Sequence, residues 1–157
     1  MAASAKPVVF SHTCIRKLVD HPRNVWDDQL DACARTGGVV GITGIGIFLG
    51  MDDASTATFM RHVDYAVQRV GAAHVGIGLD FVFRRGADDY PPNLDHTLWW
   101  PPTHRYVGRS NSVEPERMPL ITEALIGQGY SDADIRGILG ENFLRIAQQT
   151  WPAGAAP

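Results

Sequence analysis

Cysteine is scarce. Cys14 and Cys33 are the only two in 157 residues, too few for a disulfide framework and without the paired spacing of a metal-binding motif. Both read as reduced thiols, Cys33 within a helix. Blocks of like charge are also missing: the 14 Lys and Arg residues are scattered and the formal net charge is −3, so there is no basic footprint for nucleic acid or a membrane surface. Long apolar runs are absent too. The longest, Gly37 to Met51, is rich in glycine and too short to span a bilayer, and the opening MAASAKP lacks the basic-then-apolar plan of a secretory signal. These absences predict a cytoplasmic protein with neither nucleic acid nor membrane as partner. A phosphate-binding loop is disfavoured, since GITGIGIFLG (residues 41–50) has no lysine and no Gly-x-Gly-x-x-Gly register at a helix start.

What is present suits one soluble domain spanning residues 1–157, with 45% hydrophobic and 20% charged residues. Strands and helices take turns. Lys6 to Ser11 is a short apolar run of the kind that forms a strand buried on both faces. Asn24 is placed to cap a helix from Val25 to about Thr36, with Asp27 and Asp28 at its positive end and Gly37-Gly38 stopping it. Gly38 to Thr43 is a second buried strand, followed by a glycine-rich loop from Gly44 to Asp53. Ser55 or Thr56 caps the next helix, whose apolar positions Phe59, Val63, Ala66, Val67 and Val70 follow helical spacing and which Gly71 ends. His74 to Phe81 is the third strand. Three strand-then-helix units imply parallel strands joined by crossovers, an α/β architecture.

A long irregular stretch follows, residues 82–117, with two Pro-Pro pairs and the adjacent Trp99 and Trp100. A loop of this length in a domain is usually functional, and the tryptophans suggest a lid. Helical pattern returns from Pro119 to Gln128. Ser131 caps a short helix with Asp134 at its third position, Gly140 separates this from a last helix through about Gln148, and residues 151–157 are a frayed tail.

In a parallel α/β fold the site lies at the carboxyl ends of the strands. His12 and Asp80 fall at such ends, and Arg23 lies just before a helix at the same face, where a guanidinium can grip a carboxylate with two parallel hydrogen bonds. Each residue has a structural alternative: a satisfied histidine, a turn-capping aspartate, an arginine paired with a nearby acid. Asp95, His96 and His104 are a further set able to chelate a metal, against a reading as polar loop residues.

The ordered segments Phe10-Ser11-His12, Asp20-His21-Pro22-Arg23-Asn24, Gly37-Gly38-Val39-Val40-Gly41, Val75-Gly76-Ile77-Gly78-Leu79-Asp80 and Gly129-Tyr130 through Leu139-Gly140-Glu141-Asn142-Phe143-Leu144-Arg145 resemble the membrane (renal) dipeptidase family of zinc peptidases. That resemblance implies a (β/α)8 barrel with two zinc ions at the carboxyl ends of its strands. It makes His12 a zinc ligand, Arg23 the residue that binds the substrate carboxylate, and Asp80 the catalytic residue that handles the proton passed to the leaving amine of a dipeptide. The chain departs from the family in having Asp80-Phe81-Val82-Phe83 where many members have Asp-Phe-Asp-Gly. The family's His-x-Asp pair, bridging glutamate and other histidine ligand precede the Phe-Ser-His segment, and only a short stretch precedes it here. The resemblance therefore implies the last three βα units of the barrel plus C-terminal helices. The inward faces of Val8, Phe10, Val40, Ile42, Val75 and Ile77 would then lie exposed, and the chain is expected to form a homo-oligomer or to pair with a complementary N-terminal half. Two functions follow: a zinc-dependent dipeptidase or the C-terminal part of one, or a catalytically inactive remnant that serves as a binding or regulatory subunit.

Overall fold

The computed structural model describes residues 4–83, 95–99, 101–105 and 110–151. Its β-branched runs make three strands, β1 (Val9–Thr13), β2 (Val39–Ile42) and β3 (Val75–Ile77), which pair in parallel in the order β1-β2-β3. Between them run α1 (Asp27–Arg35), α2 (Gly46–Leu49) and α3 (Thr56–Val70). After them come α4 (His96–Trp99), α5 (Met118–Gly127), α6 (Asp132–Arg136) and α7 (Asn142–Thr150). The expected α/β order is present, with shorter strands than the apolar runs suggested: β1 begins three residues later than Lys6, and β3 stops at Ile77. The glycine-rich segment after β2 contains a turn of helix, α2, instead of only loop.

Two of the expected caps form. Ser55 and Ser131 each accept a hydrogen bond from the main-chain nitrogen three residues on, Thr58 and Asp134. Asn24 does not cap α1. The N-cap position belongs to Trp26, whose main-chain N–H donates to the Gln29 side chain at 2.8 Å. Asn24 is buried and its amide donates instead to the carbonyls of Val19 and Phe48, at 3.0 and 2.9 Å.

The sheet has two unlike faces. Phe10, Val40, Ile42, Val75 and Ile77 share one by register, and they pack in one core with Leu30 and Cys33 of α1 and Phe59, Val63 and Ala66 of α3. Val40, Ile42 and Val75 are fully buried. This corrects the expected exposure of that set: it is the helix-covered face. The runs are apolar at every position, so no alternation marks which residues point which way. The opposite face carries Val9, Val39, Gly41 and Gly76. Phe143 of α7 lies on it, so close that a Cβ at Gly41 or Gly76 would come within 3.0 or 2.5 Å of the ring.

At the amino ends of β2 and β3, α7 is tied on by polar bonds: Asn142 donates to the carbonyls of Ala72 and Val75, both at 2.8 Å, and Arg145 to those of Gly37 and Ala73. At the carboxyl ends, residues 110–113 return to the β2–α2 connection, where Val113 N donates to Gly44 O, Gly46 N to Asn111 O and Asn111 N to the Asp52 carboxylate. Residues 84–94, 100 and 106–109 of the proposed lid, Trp100 among them, and residues 152–157 lie outside the described residues. Among those described, no helix is long and apolar enough to cross a membrane.

Candidate functional site

His12 lies in the last turn of pleat of β1, where the ladder slips. Register runs from Phe10 opposite Val40 to Thr13 opposite Ile42, so Ser11 and His12 together face Gly41. Such a bulge kinks a strand and re-aims its side chains. The His12 ring is exposed, with Nδ1 2.8 Å from Ser11 Oγ and Nε2 3.4 Å from a guanidinium nitrogen of Arg23.

Arg23 reaches that ring from a turn held at several points. Its carbonyl accepts from Thr13 Oγ1 at 2.9 Å, its N–H donates to His21 Nδ1 at 3.2 Å, and Val25 N donates to Cys14 O at 2.9 Å. The neighbouring Asn24 fastens the turn to α2. The guanidinium stands 5.6 Å from the ring centroid of Phe48, which also packs on His21 at 4.7 Å. Burial holds the His21 imidazole below its ordinary protonation range. A bond with the His104 main chain opposes that shift, and the charges of Arg105 and Arg23 add to it. Arg105 donates to the Asp20 carbonyl at 2.9 Å, so residues 101–105 lie against the turn that carries Arg23.

Asp80 stands at the same end of the sheet. Gly78 N donates to Ile42 O, and Leu79 O accepts from Gly44 N and Thr43 Oγ1, so the chain beyond β3 is tied to the end of β2. Asp80 is exposed with φ +56°, a left-handed conformation that aspartate tolerates better than most residues, and no described residue hydrogen-bonds its carboxylate. The structure thus brings His12 and Arg23 into contact and sets Asp80 on the same rim without a bond to either. Ser11, His21, Asn24 and Phe48 were not expected at this site. Ser11 lies in the Phe10-Ser11-His12 segment and His21 and Asn24 in the Asp20–Asn24 segment, but those segments point to His12 and Arg23 alone, and nothing in the sequence marks Phe48.

Among the described residues no three His, Cys, Asp or Glu gather as a metal site. Cys14 and Cys33 are buried and burial pushes both thiols up, so neither is a ready thiolate ligand. Asp95 hydrogen-bonds Thr97, and the His96 side chain lies outside the described residues. His12 offers one nitrogen donor, whereas zinc takes three or four protein ligands. The described residues therefore fit one corner of a zinc site and not a whole one.

Known proteins resemble this chain in sequence and in fold. Dipeptidase verJ of Clonostachys rogersoniana is 31% identical over 146 residues, 93% of this chain and 32% of that protein. An amidohydrolase structure from Pseudomonas aeruginosa superposes with a TM-score of 0.77 at 28% identity, covering 94% of this chain and 47% of that one. A metallopeptidase structure from Rhodobacter sphaeroides, liganded with a phosphinate mimic of the dipeptide L-Ala-D-Ala, shares the fold with a TM-score of 0.68 at 24% identity, over 96% of this chain and 38% of that one. The chain spans about a third of the length of the curated relatives it matches, as for verJ at 32%. Residues 1–101 match the model of the membrane dipeptidase family, and the chain belongs to that family, peptidase family M19.

Proposed function

We propose that His12, Arg23 and Asp80 form part of the active site of a zinc-dependent dipeptidase. The observation that carries this reading is the meeting of His12 and Arg23 at 3.4 Å, at the carboxyl end of a parallel sheet, in a member of a dipeptidase family. The dipeptide mimic bound to the Rhodobacter sphaeroides relative supports a dipeptide as the substrate class. Arg23 holds the substrate's terminal carboxylate with paired N–H donors. His12 supplies one neutral imidazole nitrogen to a zinc site whose other ligands come from outside the described residues. Asp80 carries a proton to the amine nitrogen as the C–N bond breaks. Bound zinc lowers the pKa of a coordinated water and polarises the peptide carbonyl.

We take the three strands to be the last three βα units of a (β/α)8 barrel. The outer edges of β1 and β3 have no partner among the described residues. A second copy or a complementary N-terminal half of the barrel would cover them. The test is hydrolysis of a dipeptide panel by the purified chain with and without added zinc. Zinc-dependent turnover, abolished by a chelator and restored by the metal, is the expected result. A folded sample with no turnover would overturn the reading for this chain and turn attention to an inactive binding or regulatory subunit.

A further inference from the structure

Neighbouring residues in an extended strand point to opposite faces, so Ser11 and His12 should not reach one another. They do, at 2.8 Å between Ser11 Oγ and His12 Nδ1. The bulge is the cause, because both residues oppose the single Gly41. Room for it comes from two glycines. A Cβ at Gly41 or Gly78 would overlap the Ser11 carbonyl oxygen, and at Gly78 it would also lie 3.4 Å from His12 Cα. Neither glycine has a positive φ, so both serve space and not backbone freedom.

The other ring nitrogen decides the tautomer. Nε2 faces the Arg23 guanidinium at 3.4 Å, and a guanidinium has donors only. Nε2 must therefore accept and carries no proton. In the neutral ring the proton is then on Nδ1, which donates to Ser11 Oγ. We propose that Ser11 is a positioning residue for His12: it fixes the Nδ1–H tautomer and turns the Nε2 lone pair to the rim. There it meets a cation, the guanidinium in this structure and a metal ion in the dipeptidase reading, on which the inference rests for that metal alone. Partners on the far nitrogen commonly set the tautomer and orientation of metal-binding histidines. Gly41 and Gly78 are what let Ser11 do this from the adjacent position.

The experiment is long-range proton–nitrogen correlation NMR on the nitrogen-15-labelled chain at pH 8.5, without metal or substrate, with His12→Asn assigning the ring. The expected wild-type pattern is protonated Nδ1 and bare Nε2. Ser11→Ala should shift the ratio of the two tautomers roughly five-fold towards Nε2–H, the amount one ordinary hydrogen bond sustains, and Ser11→Thr should restore it. Gly78→Ala should lose the same signature by lifting the bulge. If that variant fails to fold, the Ser11 pair still decides the matter. Protonated Nε2 in the wild type, or a ratio indifferent to Ser11→Ala, overturns the proposal. Because no turnover is read, failure of the dipeptidase assay leaves this result standing, and the reverse holds too.

Discussion

The Arg23 guanidinium and the His12 imidazole stand 3.4 Å apart across the turn that joins β1 to α1, with Phe48 under the arginine. A fork of fixed donors is suited to a carboxylate in a way that an ammonium is not. Arg23→Lys should therefore raise KM for a dipeptide by roughly 10- to 100-fold, the worth of one or two charge-assisted hydrogen bonds, with little change in kcat. The same substitution should leave the corresponding dipeptide amide almost unaffected. Equal losses on both substrates would mean that Arg23 holds the fold of the turn and not the substrate.

Two glycine substitutions should move stability in opposite directions. Gly78→Ala drives a Cβ into the Ser11 carbonyl and should cost about 1–3 kcal/mol, as overpacking does. Gly127 ends α5 with nothing within 4 Å of its added Cβ and an ordinary φ. Gly127→Ala should stabilise by up to about 1 kcal/mol through helix propensity and a less disordered unfolded chain. Urea unfolding of the two variants beside the wild type reads both signs.

Local rules carried the expectations that held. Ser55 and Ser131 cap because each precedes a helical pattern with a free N–H three residues on, and α3 buries Phe59, Val63 and Ala66 because their spacing lines one face. His12, Arg23 and Asp80 stand out in the sequence as wording within ordered motifs, and the structure brings the first two into contact. The failures are tertiary. Asn24 had the chemistry of a cap but was taken by Phe48 and Val19, the second a near neighbour and the first twenty-four residues away. Strands apolar on both faces give no phase, so the sequence does not say that Val40, Ile42 and Val75 face the helices. Nothing short of packing reveals that Phe143 will sit on Gly41 and Gly76, or that a bulge will join Ser11 to His12.

Asn142 should be a strong point of the fold. Its amide donates to Ala72 O and Val75 O, both at 2.8 Å, from a site 7% exposed. Asn142→Leu keeps the size and removes both bonds, leaving Ala72 O only the Val75 N–H, at an expected cost of about 1–3 kcal/mol. Asn142→Asp should be no better, because a carboxylate cannot donate and would face those carbonyl dipoles. Denaturant midpoints with an unchanged slope would show the loss as one of stability alone.

His62 should make the fold sensitive to mild acid. Its ring is buried in α3, where Nδ1 accepts from Ile15 N at 3.1 Å and Nε2 donates to Leu49 O at 3.0 Å. The neutral ring thereby joins the end of β1 to α2. Burial lowers its pKa to about 4, with the Leu49 bond opposing and the Arg61 charge assisting. A protonated ring has no acceptor left for Ile15 N. Since the folded pKa is below the ordinary 6.5, the unfolded chain takes up the proton first as pH falls. The contribution is whole above about pH 6.5 and is lost progressively towards pH 4, at up to about 1.4 kcal/mol per pH unit. Between pH 7.5 and 5.0 the wild type should therefore lose about 2 kcal/mol more than His62→Gln, which lacks the titrating ring and starts less stable. Urea unfolding at the two pH values measures the difference, in which the other carboxylates and histidines cancel. Parallel pH profiles for wild type and variant would show that His62 is not the acid-sensitive joint between β1 and α2.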